Sequence, residues 1–306
     1  MANSNKLKIL IIASEAAPFA KEGGLADVAG SLPIALSKLG HDARIVMPRY
    51  GNINKDRLKH LAGPLGVPMG VIGQMFCAAF EGRMPKSDVP VYFIDHEQFY
   101  ARNGGLYSTM DGEGYMDNDN RFVFLSRASL ELCKAINFKP DIIHVNDWHT
   151  AVTPVFINTA YKNDDLFNAC ATVLTIHNMQ HQGEFYEGLM DVLDIGWEHF
   201  NYKGLEKDKH TNLLKGGIYH STVINTVSET YAKEIQTPEF GWGLDGVLRE
   251  RSGDLYGIVN GVDYDEWTPE TDKYIAANYS VSDLNGKALC KKDLQKTFNL
   301  PEKADV

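Results

Sequence analysis

Lys21-Glu22-Gly23-Gly24-Leu25-Ala26-Asp27-Val28 joins a strand pattern to a helix pattern near the start of the chain. Ahead of it, Leu7 to Ala13 is a short apolar run of the kind that forms a buried strand. Behind it, Leu25, Val28, Ala29, Leu32, Leu36 and Leu39 recur at the spacing of one helix face, which closes at Gly40. Strand, glycine loop and helix together aim unpaired backbone N–H groups and the positive end of a helix at an anion, and Lys21 adds a full charge. The loop is neither the GxGxxG of a dinucleotide site nor a Walker loop, in which Gly-Lys-Ser/Thr opens the helix. A tight turn with no ligand would also use Gly23-Gly24, so the loop alone leaves both readings open.

Further strand-like runs follow at Ala43–Pro48, Pro90–Asp95, Asp141–Asn146, Ala171–His177, Thr222–Val227 and Leu255–Asn260. Most are continuously apolar rather than alternating, which predicts strands buried on both faces. Helical patterns at Arg121–Ile136, Thr150–Tyr161, Asn212–His220 and Ser228–Ile235 lie between them. This alternation predicts an α/β fold with a doubly wound, mostly parallel sheet. Ligands collect at the carboxyl ends of such strands. Four strand exits carry polar or aromatic residues: the Lys21 loop, Asp147-Trp148-His149, His177-Asn178 with Gln182-Gly183, and Asn260-Gly261-Val262-Asp263. Long irregular segments at Phe99–Asn120 and Thr237–Gly246 read as functional or mobile loops. From Tyr264 to Asn285 the pattern breaks into a linker, and a helix is expected from about Gly286 to Phe298.

The chain has 306 residues, a net charge of −10 and 44% hydrophobic residues, which predicts a sizeable core in one large or two smaller domains. The acidic balance argues against nucleic acid as a partner, because a phosphate backbone needs a basic face. The 4 cysteines, Cys77, Cys133, Cys170 and Cys290, show no metal-like spacing and read as reduced thiols of a cytoplasmic protein. Lys6 and Lys8 precede an apolar run too short for a signal peptide, and no run is long enough for a membrane span.

His144-x-x-Asp147-x-His149 has metal-binding residue types but no further ligand at helical spacing, so no metal is expected. A Ser-His-Asp hydrolase lacks its nucleophile elbow. Paired carboxylates for glycoside hydrolysis stay open, with Glu15, Asp27 and Asp147 as candidates. Tyr107, Trp148 and Trp242, set among Asp, Asn, Gln and His, suit a sugar: aromatic faces cover its C–H face and short polar groups bond its hydroxyls.

Taken together, Lys21-Glu22-Gly23-Gly24-Leu25-Ala26-Asp27-Val28, His144-Val145-Asn146-Asp147-Trp148-His149, Thr175-Ile176-His177-Asn178 with Gln182-Gly183, Thr226-Val227-Ser228 and Val259-Asn260-Gly261-Val262-Asp263 resemble the bacterial glycogen synthase and plant starch synthase family. The resemblance covers nearly the whole chain. It implies the N-terminal, Rossmann-like half of a GT-B glycosyltransferase over residues 1–262. Residues 263–306 would then be a linker and the opening helix of a C-terminal nucleotide-binding domain. The implied activity is retaining transfer of glucose from ADP-glucose to the non-reducing end of an α-1,4-glucan or maltooligosaccharide, with no cofactor or metal.

By position, the resemblance places Lys21, Gly23 and Gly24 at the donor's diphosphate and glucose, and Asn260 near the hinge on the donor side. It makes His177 and Asp27 catalytic, with His177 against the transferred glucose. Tyr107, Asp147, Trp148, Asn178 and Gln182 would contact sugar on the acceptor side. The family's nucleotide pocket lies in its C-terminal domain, so the chain is expected to be a piece of a longer synthase and inactive alone. A non-catalytic glucan-binding module, or a GT-B enzyme with another acceptor, are the alternative readings.

Overall fold

The computed structural model describes residues 6–264 and 267–305. Asp265 and Glu266, part of the expected linker, lie outside the described residues. The chain divides into two units, Met1–Val259 and Asn260–Val306.

The first unit is built on a sheet of nine strands. In chain order these are β1 (Lys8–Ile12), β2 (Asp42–Pro48), β3 (Lys59–Pro68), β4 (Gln74–Arg83), β5 (Pro90–Asp95), β6 (Ile142–Asn146) and β7 (Ala171–Ile176), then, beyond a smaller sheet, β11 (Val223–Thr226) and β12 (Leu255–Gly257). The smaller sheet holds β8 (Glu184–Tyr186), β9 (Glu206–Lys207) and β10 (His210–Asn212). The large sheet runs β12-β11-β7-β6-β1-β2-β5-β4-β3. Seven of its strands, β12 through β5 in that order, are parallel neighbours. They are the seven predicted from continuous apolar runs, and Ile9–Ile12 at their centre are almost fully buried.

The antiparallel hairpin β3–β4 at the β5 edge was not predicted. Its strands carry Gly63-Pro64, Gly66 and Pro68, and they bury residues only in alternation, such as Cys77 and Ala79. A reading keyed to unbroken apolar runs passes over such an edge.

The helices are α1 (Gly24–Lys38), α2 (Glu97–Tyr100), α3 (Asn118–Ala135), α4 (Asp147–Thr150), α5 (Val152–Asn158), α6 (Leu189–Leu193), α7 (Leu213–His220), α8 (Glu229–Glu234), α9 (Asp245–Glu250) and, in the second unit, α10 (Asn285–Thr297). The helix expected from Thr150 is two helices, and the first starts directly at the end of β6 with Asp147 in the left-handed region at φ 51°. After β1 the chain adds β2 on one side, and later β6 on the other. The strand order therefore reverses between β1 and β6, and their carboxyl ends frame the crevice where α/β sheets bind ligands.

Candidate active site

The glycine loop leaves β1 through Ser14 and Glu15 and enters α1. Glu15 is only 3% exposed. Its carboxylate accepts the Glu22 N–H at 2.5 Å and the Gly23 N–H at 3.2 Å. This corrects the expectation of an unpaired N–H cradle, because two of the loop's donors are already held by the protein's own anion. Burial raises the Glu15 pKa, and those backbone N–H groups oppose the shift. Glu22 in turn accepts the Leu106 N–H at 3.0 Å, which ties the 99–120 loop to the glycine loop.

The two glycines are not required by the backbone. Gly23 is extended, at φ −134° and ψ −171°, and neither it nor Gly24 has positive φ. A Cβ on Gly24 would meet nothing within 4 Å, and one on Gly23 only Glu15 at 3.5 Å. The tight-turn reading therefore falls away. What a side chain here would fill is the open space in front of the loop. Beside it, a cavity of about 310 Å³ is lined by Lys21, Tyr50, Asn52, Arg102, Gly105 and Arg121, among others.

Lys21 Nζ donates to both Asp27 oxygens, at 2.6 and 2.8 Å, and both side chains are about half exposed. The loop cation Lys21 and Asp27, in the first turn of α1, thus stand together. Across the crevice, Asp147 is buried, and its Oδ1 accepts the His177 N–H at 2.7 Å and the Asn178 N–H at 3.4 Å. Burial pushes the Asp147 carboxyl up to about 7. It pushes the His177 imidazole down to about 4, so that ring is neutral at pH 7. Its Nε2 lies 3.0 Å from Asn146 Oδ1.

The expected sugar contacts divide. Trp148 is 8% exposed and packs on Phe122, His149 and Phe185. Tyr107 is half-buried, stacks on His149 at 4.5 Å and shares a 2.7 Å hydrogen bond with Ser14 Oγ. Gln182 is buried and turned inward: its Nε2 donates to the Trp242 and Met179 carbonyls, and its Oε1 accepts from Asn212. Trp148 and Gln182 therefore belong to a packed wall, held by its aromatic neighbours and its hydrogen bonds. Gly183 completes that wall, with φ +61° and a Cβ position only 2.4 Å from the Trp148 ring. Asn178 is exposed, with its Oδ1 bonded to the Gln180 N–H at 3.0 Å, and Trp242 is 53% exposed. Asn260 is exposed and opens the second unit.

Residue-type reasoning missed the structural parts of Glu15, Glu22 and Asn146, although all three lie in or beside the quoted motifs. Nothing in spacing says that Glu15 reaches the loop's N–H groups. Among the described residues, no group of three or more His, Cys, Asp or Glu side chains could hold a metal ion. Nor is any helix among them long and apolar enough to cross a membrane.

A mostly parallel, doubly wound sheet with polar side chains gathered at the central carboxyl rim has the Rossmann-like architecture of one domain of a GT-B glycosyltransferase. The family model of the starch synthase catalytic domain matches residues 8–250, and the chain belongs to that family. It is 64% identical to glycogen synthase 1 of Geobacter metallireducens over 98% of this chain and 60% of that one. Its identity to glycogen synthase 1 of Geobacter sulfurreducens is 63%, with the same coverage. It also superposes, with a TM-score of 0.82 and 32% identity, on the catalytic domain of starch synthase IV from Arabidopsis thaliana bound to ADP and acarbose, covering 97% of this chain and 60% of that one. The chain thus spans about 60% of the length of these relatives.

Proposed function

We propose that this chain forms the acceptor-facing part of a retaining glucosyltransferase that moves glucose from ADP-glucose to the non-reducing end of an α-1,4-glucan in the cytoplasm. The single observation that carries the reading is the open space at Gly24, where an added Cβ would meet no protein atom within 4 Å. Two glycines that the backbone does not need leave room for a ligand, on the same carboxyl rim of the sheet that carries the neutral His177 ring and the buried Asp147 carboxyl.

In this reading residues 1–262 are the acceptor-side domain and residues 263–306 lead into a nucleotide-binding domain. The donor's diphosphate rests against the glycine loop. Because Glu15 already uses the Glu22 and Gly23 donors, the phosphate meets the first-turn N–H groups of α1 and the Lys21 ammonium. Departure of ADP builds negative charge there, and fixed donors stabilise it. The anomeric carbon becomes positive, and His177, kept uncharged by burial, places no like charge beside it. Asp27 shares Lys21 with the leaving phosphate and stays near the transferred sugar. Asp147 fixes the backbone of His177 and Asn178, which present the sugar contacts, while Tyr107 and Trp148 shape the acceptor wall.

Calorimetric titration of this chain with a maltooligosaccharide, and with a cellooligosaccharide of equal length, tests the acceptor assignment. Selective binding of the α-1,4 oligomer is expected. Equal affinity for both would remove the assignment.

A further inference from the structure

We infer that Asn146 is a positioning residue that decides which ring nitrogen of His177 carries the proton. The Ile12 carbonyl at the end of β1 can only accept, and Asn146 Nδ2 lies 3.2 Å from it. This contact orients the amide, with its NH₂ toward β1 and its Oδ1 toward β7. Oδ1 also can only accept, and it stands 3.0 Å from His177 Nε2. Nε2 therefore bears the hydrogen. With the ring neutral at pH 7, Nδ1 bears none and is left as an acceptor.

The amide has little freedom to turn. Asn146 is 1% exposed, its N–H donates to Thr150 Oγ1 at 2.7 Å, and that hydroxyl donates back to the Asn146 carbonyl at 3.0 Å. The strand register pairs Asn146 with Thr175, two residues before His177, so both side chains rise on one face of the sheet. On the same face the Thr175 hydroxyl donates to Asn225 Oδ1 at 2.7 Å and lies 2.6 Å from His144 Nε2. Its one proton is thus spent, and His144 also carries hydrogen on Nε2. The ionisable groups around His177 are accordingly two neutral imidazoles, His144 and His149, and the Asp147 carboxyl that holds its backbone N–H. Burial alone shifts the ring, and Asp147 meets its backbone N–H rather than a ring nitrogen. Asn146 settles its tautomer.

The consequence for transfer rests on the proposed function: a ring with a bare Nδ1 receives a sugar hydroxyl and offers it no proton. The tautomer itself does not depend on that reading, and it can be measured without sugar or nucleotide. Long-range ¹H–¹⁵N spectra of the histidine-labelled chain report ring protonation directly, with His177→Gln used to assign the signal. The expected wild-type result is a neutral Nε2–H tautomer at pH 7. In Asn146→Ala the acceptor is gone and a substantial Nδ1–H population should appear. In Asn146→Asp a carboxylate faces Nε2, and the His177 titration should move up by about one to three pH units. A wild-type Nδ1–H ring, or a ring charged at pH 7, would overturn the inference. So would folded variants in which the melting point falls while His177 protonation stays as in the wild type. If Asn146→Ala does not fold, the wild-type spectrum and the Asp variant still decide.

Discussion

Replacing Gly24 by alanine separates a loop kept open for a ligand from a loop kept tight for the fold. The added methyl would meet no protein atom within 4 Å, and Gly24 opens α1 outside the left-handed region. Alanine there restricts the unfolded chain, so stability should rise by about 0.4–1 kcal/mol. For a chain of this size that is an increase of roughly 0.6–1.6 °C in the unfolding midpoint. The same methyl occupies the space in front of the loop. Against a tightly seated diphosphate it should cost about 1–3 kcal/mol. That is a roughly 5- to 150-fold loss of donor affinity. Thermal unfolding of the chain, paired with the ADP-glucose KM of the full gene product, reads both quantities. Gly23→Ala, whose Cβ comes only to 3.5 Å from Glu15, should behave the same way. A lower midpoint with an unchanged KM would refute the reasoning and return the glycines to the fold.

Lys21→Ala should leave the unfolding midpoint nearly untouched, since its half-exposed pair with Asp27 is worth about 0–1 kcal/mol, while turnover and donor affinity both drop. Steady-state kinetics beside a melting curve would show it, and full activity would take Lys21 out of the donor site. Gly183→Ala should destabilise by about 2–5 kcal/mol in urea unfolding, from left-handed strain and a Cβ 2.4 Å from Trp148.

Stability should also follow pH in two directions. His144, His177 and His220 titrate near 4 in the fold, below their ordinary 6.5, so between those values the unfolded chain binds more protons and stability rises with pH. Asp147, raised to about 7 from 3.8, opposes them over that range, by at most about 1.4 kcal/mol per pH unit. Asp147→Asn should therefore steepen the rise in urea midpoint from pH 4.5 to 6.5. A flatter curve would show that the carboxyl is not held protonated in the fold.

The seven parallel strands were legible because burial on both faces writes an unbroken apolar run, as in Ile9–Ile12. The hairpin β3–β4 was not, since a half-exposed edge with Gly63-Pro64 and Pro68 writes none. The rim was legible for a topological reason: parallel strands put all their exits on one side, so Lys21, Asp147 and His177 converge without any long-range signal in the chain. Which way each side chain turns is a different matter. Residue type points to a sugar at Trp148, and the resemblance does so at Gln182, but neither contains the packing on Phe122 and Phe185 or the bond to Asn212 that sets how these side chains turn. Glu15 stood as a candidate for a catalytic carboxylate pair, although its partners in the fold, the Glu22 and Gly23 N–H groups, sit only seven and eight residues on. Such distances are set by the loop's three-dimensional path, which residue spacing does not encode.

The most direct test of the account is glucose transfer by the full gene product. ADP-glucose labelled in its sugar would be incubated with a maltooligosaccharide, and the product digested with an exo-acting α-1,4-glucanase. Label is expected at the non-reducing end, in an α linkage that the glucanase cleaves, with loss of transfer in His177→Ala. A folded gene product that leaves the maltooligosaccharide unlabelled, or adds glucose in a β linkage, would contradict it.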